Sequence, residues 1–329
     1  MSLILSRDNA SFSKPHCVAA MRLTRRAALA ALACAPLAAH AAGARIPDRT
    51  GFARVPGGRV WWRRLGEGSK PPLLLLHGGP GMGHDYLLPL AALAGDREVI
   101  FYDQFGCARS DAPDDPSLYT IAKFAGRVEA LRDALKLDRI ALYGHSWGGI
   151  LAIEYLTSKK RRGVETLILS NALASARQAN DGLLRLIGEM PGGGRLLELE
   201  RAREYAAPEY ASLVQDFDDL HFCRADPKPP EFEASMQNAI ASPSVPVMVG
   251  NGLSIDGNLK HWDRRADLPA IDMPTLIVTG EFDEVTRDCQ QTLRDAIPGA
   301  SLAVMPGCSH MTMTEAPAAY NAILSKFLG

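Results

Sequence analysis

Charge of one sign is what this chain has least of. Lys+Arg 36 stand against Asp+Glu 37, a formal net charge of -1 at pH 7, so no global field favours nucleic acid or an anionic membrane surface. Cysteine is sparse, with six residues in 329. The absence of any Cys-x-x-Cys pair argues against structural zinc or thioredoxin-like chemistry. Cys107, Cys223, Cys289 and Cys308 are widely spaced; an exported chain has access to disulfides, but buried thiols are the expected state for most of them. Neither a Walker pattern nor Gly-x-Gly-x-x-Gly occurs, so the glycines are not read as a phosphate cradle. The Ala/Leu-rich run from Ala27 to Leu37 is too short to span a bilayer. No metal, cofactor or nucleic-acid partner is expected.

What is present is a globular composition, 47% hydrophobic and 22% charged, in a chain long enough for a full α/β core and an insertion. Residues 1–43 read as a leader. Met21-Arg-Leu-Thr-Arg-Arg26 is basic, Ala27 to Leu37 is apolar, and Ala39-His-Ala41 supplies small residues for cleavage. Thr24-Arg25-Arg26 with Leu29 resembles a twin-arginine signal, although Ala28 stands where that pattern prefers a bulky apolar residue. The expectation is export, to the periplasm, with Met21 as the true start. Lys159-Lys-Arg-Arg162 reads as the solvated end of a helix, a position the helix dipole favours for cations.

Along the chain, Phe52 to Arg64 alternates as a hairpin. Pro71-Pro-Leu-Leu-Leu-Leu76 is a continuous apolar run of the kind a central strand covered on both faces requires. Glu98 to Tyr102, Ile140 to Tyr143, Val164 to Ser170, Pro274 to Thr279 and Ala300 to Met305 are further strands. Thr120 to Leu135 has helical period. Alternation of this kind predicts an α/β fold with a mostly parallel, doubly wound sheet. From Ala172 to about Leu268 the rhythm breaks into amphipathic segments, read as a helical cap over 172–268 inserted between core segments 44–171 and 269–329.

Gly144-His-Ser-Trp-Gly148 follows a buried strand and opens a helix, the context of a nucleophile elbow in which Ser146 is held exposed on a strained turn. His77-Gly-Gly-Pro-Gly81, at the end of another strand, offers backbone N–H groups to a developing oxyanion. Gly79 and the residue after the nucleophile, Trp147, are the expected donors. Asp283 and His310 each follow a late strand, and the order Ser, Asp, His is the one an α/β-hydrolase uses. His310 is the expected base and Asp283 the group that orients it. Glu281 and Glu284 are alternative acids, and His77, His84 and His145 alternative bases, although His77 and His145 sit in motifs where they more often brace loops.

His77-Gly-Gly-Pro-Gly81, Tyr102-Asp-Gln-Phe-Gly-Cys107, Gly144-His-Ser-Trp-Gly-Gly149 and Gly280-Glu-Phe-Asp283 together resemble the proline iminopeptidase family of α/β-hydrolases, over nearly everything from Phe52 onward. The resemblance implies metal-free release of N-terminal amino acids, often proline, from peptides or small amides. It also implies cap glutamates that bind the substrate's α-amino group. One such glutamate is missing, because the corresponding stretch reads Gly250-Asn-Gly-Leu253, and Gln215 stands where another acid is expected. Gly78, Glu209, Gln215, Asp216 and Glu231 are the candidate substrate-binding residues; Asp218 and Asp256 are further acids able to compensate. An ammonium in a partly closed site without a carboxylate is left poorly solvated. The altered cap therefore keeps a second reading open, an esterase or lactonase with the same triad. A third is a non-catalytic binding protein on the same scaffold, against which the intact triad counts.

Overall fold

A computed structural model describes residues 46–158 and 163–329. The expected leader and the basic cluster Lys159 to Arg162 lie outside the described residues. Eight strands form one sheet in the order β1-β2-β4-β3-β5-β6-β7-β8. They are β1 (Asp48–Val55), β2 (Gly58–Leu65), β3 (Leu73–Leu76), β4 (Val99–Tyr102), β5 (Ile140–His145), β6 (Val164–Ser170), β7 (Thr275–Gly280) and β8 (Ser301–Met305). The first two make the expected antiparallel hairpin, β2 is antiparallel to β4, and every pairing from β4 to β8 is parallel.

Helices α1 (Ile121–Ala134) and α2 (Trp147–Ser158) precede an insertion of five, α3 (Ala176–Glu189), α4 (Gly193–Ala202), α5 (Tyr210–His221), α6 (Pro230–Ala241) and α7 (Ser244–Met248). After β7 come α8 (Arg287–Ala296), α9 (Thr312–Glu315) and α10 (Pro317–Leu328). The β3 strand shows why an unbroken apolar run is needed at the sheet centre. Leu74 and Leu76 belong to the core shared with α1, α2 and α8, whereas Leu73 and Leu75 belong to the one beneath α10 and the 3-10 segment Asp85–Leu93. Side chains alternate across a strand, so both faces are covered only if every position is apolar. Each leucine contributes about 1.5–3 kcal/mol from burial.

Among the described residues, no strand falls between β6 and β7. The inserted helices α3, α4 and α5 carry a third apolar cluster of their own, including Ile187, Leu196, Leu199, Tyr210 and Phe217. No described helix is long and apolar enough to cross a membrane. The loops after β3, β5, β7 and β8 open on the same edge of the parallel sheet, where such folds place their sites.

Candidate active site

Ser146 joins β5 to α2 with φ 53°, in the left-handed region. For a residue other than glycine that conformation stores about 1–3 kcal/mol of strain, held by its surroundings. The flanking glycines are obligatory on steric grounds. A Cβ on Gly144 would lie 2.3 Å from the Gly148 carbonyl oxygen, and one on Gly148 would lie 2.0 Å from that of Leu76. The Ser146 N–H donates to the Ser170 carbonyl at 2.9 Å, and the first turn of α2 closes back on the Ser146 carbonyl.

His310 and Asp283 meet as the sequence order suggested. The imidazole Nδ1 donates to Asp283 Oδ1 at 2.7 Å, and both side chains are buried. Asp283 is itself saturated with donors, since Oδ2 accepts from Asn171 Nδ2 at 2.7 Å and Thr279 Oγ1 at 2.8 Å, and Oδ1 also accepts from the Val285 N–H at 2.9 Å. Burial pulls the His310 pKa down, but the charges of Asp283 and Glu284 outweigh it and the net displacement is upward. Ser146 and His310 line one cavity of about 280 Å³, which also reaches Gly79. A second lobe of about 110 Å³ shares Gly79 and Ser146 and adds Trp147.

The other histidines are braces. The Gln104 N–H donates to His77 Nε2 at 2.9 Å, so His77 carries its proton on Nδ1, which donates to the Gly78 carbonyl at 2.9 Å. Burial drives its pKa down to about 4. Tyr86 Oη accepts from the Gly78 N–H at 2.6 Å and therefore donates to His145 Nδ1 at 2.8 Å, leaving His145 Nε2–H to donate to the His310 carbonyl at 3.1 Å. Burial, with His310 adjacent, keeps His145 neutral. His84 is tied to Asp103 at 2.7 Å. Gln104 then couples the loops, donating to the His77 carbonyl at 2.7 Å and accepting from Trp147 Nε1 at 2.8 Å.

The expected substrate-binding residues fare differently. Gly78 is buried with its N–H committed to Tyr86, so it has no donor for a ligand. Glu209 stands just before α5, makes no capping hydrogen bond with its side chain, and pairs with Arg195 at 2.7 Å. Gln215 donates to Asp219 on the exposed face of α5, and Asp216 is likewise exposed. Glu231 lies in the first turn of α6 beside a separate surface hollow. None of these five lines the cavity that holds Ser146. Asp256 pairs with Arg203 at 3.0 Å. The acids that do line that cavity are Asp218 and Glu284. The available signal for Asp218 was an aspartate on the inward stripe Val214, Asp218, Phe222, four residues apart on a helix whose other acids face solvent. Glu281, the other alternative acid, accepts from the Gly307 N–H at 2.9 Å and is exposed.

The end of α5 grips the loops that carry Glu284 and His310. The His221 carbonyl accepts from the Glu284 N–H at 3.2 Å and from the His310 N–H at 3.1 Å, and the Met311 N–H donates to the Phe222 carbonyl at 3.0 Å. The Phe222 ring stacks on His310 with centroids 5.4 Å apart.

Residues 71–317 match the family model for the alpha/beta hydrolase fold. A proline iminopeptidase of Thermoplasma volcanium is 36% identical over 284 residues, covering 84% of this chain and 96% of that protein. One of Saccharolobus solfataricus is 36% identical over 292 residues, covering 87% and 94%. The chain belongs to the proline iminopeptidase family of α/β-hydrolases. In structure, the crystallised proline iminopeptidase of Mycobacterium smegmatis superposes with a TM-score of 0.79 at 32% identity, over 85% of this chain and 97% of that one. Membership makes the chain a hydrolase, and within this family the cavity around Ser146 is the place to look for its chemistry.

Proposed function

We propose that this protein is an exported serine aminopeptidase that releases N-terminal amino acids, proline among them, from peptides or amino-acid amides through an acyl-enzyme on Ser146. The observation that carries the reading is the strained, cavity-lining Ser146 beside a histidine whose Nδ1 is held by a fully hydrogen-bonded carboxylate at 2.7 Å. Holding Nδ1–H against Asp283 leaves Nε2 unprotonated in the neutral ring, the state a general base requires.

In the proposed sequence His310 takes the Ser146 proton as Oγ attacks the scissile carbonyl. The oxyanion settles between the N–H groups of Gly79 and Trp147, which line the same lobe as Ser146. His310 then returns the proton to the departing amine and activates water for deacylation. The apolar lining from Val214, Phe222, Met236 and Ile240 suits a short aliphatic or pyrrolidine side chain. The proline iminopeptidase relatives, alike over nearly their whole lengths, support the peptidase rather than the esterase assignment.

The test is hydrolysis of a proline arylamide with a free amine and of its N-acetylated counterpart, by wild type and Ser146→Ala. Cleavage of the free amine by wild type, and none by the variant, is the expected result. Cleavage of a simple ester with neither arylamide touched would move the protein to the esterase class.

A further inference from the structure

Asn171, just past the end of β6, lines neither lobe of the cavity, yet every polar site on its amide is used. Its Nδ2 donates to Asp283 Oδ2 at 2.7 Å and to the Ser309 carbonyl at 3.3 Å, while Oδ1 accepts from Ser170 Oγ at 2.7 Å and from Thr312 Oγ1 at 3.1 Å. A primary amide has two N–H donors and two acceptor lone pairs, so none is left over. The partners also fix which way it faces, because a carboxylate and a peptide carbonyl can only accept. One side chain therefore bridges the loop of Asp283 and the loop of His310, gripping the second at the residue before the histidine. Asn171 holds φ 52°, a left-handed conformation that asparagine tolerates better than most side chains, and its N–H donates to the Val278 carbonyl at 2.7 Å.

The hydroxyls behind it continue in one direction. Ser170 has a single proton, spent on Asn171, so Tyr320 Oη is the donor to Ser170 Oγ at 2.8 Å. By the same count Tyr143 Oη donates to Tyr320 Oη at 2.8 Å. All of these groups are buried. Burial pushes both phenols up, so each keeps the proton it donates. Tyr143, Tyr320, Ser170 and Asn171 form a file of hydrogen bonds that all point toward Asp283. Bonds aligned head to tail polarise one another, and a buried setting strengthens them.

We infer that Asn171 is a positioning residue for catalysis, the last link of a one-way hydrogen-bond file from Tyr143 and Tyr320 that joins the acid loop to the base loop and draws the charge of Asp283 toward Oδ2. This role rests on the Ser146, His310 and Asp283 chemistry proposed above, and not on the choice between amide and ester substrates. Charge drawn onto Oδ2 is taken from Oδ1, the oxygen on His310 Nδ1. The imidazolium is then held less tightly, and the neutral base is easier to regain.

The groups facing His310 are Asp283 and Glu284 from the β7–α8 loop, Glu315 from α9 and the neutral His145 from β5, with Glu284 Oε1 3.6 Å from Nε2. Asp283 also faces the Cys289 thiol of α8, which burial pushes up to about 11 and so leaves uncharged. None of these groups bonds to Asp283 Oδ2; its partners are Asn171 and Thr279. Removing the Asn171 amide therefore returns charge to Oδ1, raises the His310 pKa and moves the acid limb of kcat/KM to higher pH.

The test compares wild type, Asn171→Gly, which deletes the amide and leaves the left-handed backbone free, Tyr320→Phe and the double variant, on proline p-nitroanilide and p-nitrophenyl acetate. In Asn171→Gly, kcat is expected to fall about 10–100-fold with KM little changed, since the residue lines no part of the cavity, and the limb to rise about one unit. Tyr320→Phe, three hydrogen bonds from the carboxylate, raises the limb about 0.3 unit, and adds nothing once Asn171 is gone. The low-field proton resonance of His310 Nδ1–H reads the same bond without substrate, and moves further downfield in each variant. A limb that stays put or falls in Asn171→Gly, or a Tyr320→Phe that loses stability with limb and resonance unmoved, overturns this role alone. Should Asn171→Gly not fold, Tyr320→Phe decides by the same two readings. Wild type inactive on both substrates, or activity that survives Ser146→Ala, overturns the hydrolase chemistry beneath it and this role with it.

Discussion

Tyr86→Phe removes one oxygen and strands two partners. The hydroxyl accepts from the Gly78 N–H at 2.6 Å and donates to His145 Nδ1 at 2.8 Å, and Tyr86 is 1% exposed, so no solvent replaces it. Leaving a buried donor or acceptor unpaired costs about 1–3 kcal/mol each. The two together predict a loss of about 2–6 kcal/mol, or roughly 4–12 °C in Tm for a domain of this size. The damage is local to catalysis as well, because Gly78 precedes the expected oxyanion donor Gly79. Relaxation of that loop is expected to lower kcat about tenfold with little change in KM, since a misplaced oxyanion donor acts on the transition state. Thermal unfolding followed by circular dichroism, with arylamide kinetics on the same sample, measures both. A Tm drop below about 1 °C with unaltered kcat would refute the reasoning, by showing that Gly78 N–H and His145 Nδ1 close on one another and need no bridge.

Two other perturbations follow, one from the geometry and one from the export reading proposed above. Every partner of the Asp283 carboxylate is a donor, so Asp283→Asn must turn its amide N–H groups toward donors or drive His310 into the wrong tautomer. Expected results are a kcat about 10³–10⁴ lower and a stability loss of about 2–4 kcal/mol, read by kinetics and denaturant titration; a kcat within tenfold of wild type would point to another acid. Replacing Arg25 and Arg26 by lysine is expected to keep the protein in the cytoplasm of a bacterial host, whereas wild type appears in the periplasm with its amino terminus trimmed after about Ala41. Cell fractionation and amino-terminal sequencing settle this, and wild type retained with Met1 or Met21 intact would end the export reading.

Much of the core was legible because its physics is local. A buried parallel strand has to be apolar at every position, and Leu73–Leu76 and Ile140–Tyr143 announce themselves for that reason. The elbow was legible because two glycines are forced by contacts of 2.3 and 2.0 Å to backbone oxygens, a requirement no side chain can meet. The cap yielded less. Glu209, Gln215, Asp216 and Glu231 were attractive as polar residues near the right place, but which face of a cap helix looks inward depends on how that helix is docked. Once α5 is seated by Tyr210, Val214 and Phe217, the polar position it turns to the cavity is Asp218. Glu284 was weighed as a substitute for Asp283; that it lies at the opposite nitrogen of the same imidazole depends on the loop path after β7, which carries no periodicity to read.

The contacts at the end of α5 bear on how such a cap works. A cap that merely covered the cavity would touch the core through side chains and could shift without disturbing the chemistry. Here the His221 carbonyl receives N–H groups from the loops that carry Glu284 and His310, His221 Nδ1 meets the Phe282 carbonyl at 2.9 Å, and Phe222 lies against the His310 ring. Moving α5 therefore breaks backbone hydrogen bonds that hold the loops of Asp283 and His310 in register, at about 0.5–1.5 kcal/mol apiece. A substrate that packs against Val214 and reaches Asp218 bears on the same helix that positions His310. Selectivity and basicity thus share one structural element, and substitutions on the inward stripe of α5 should move kcat as well as KM, unlike substitutions on the outward acids Asp216 and Asp219.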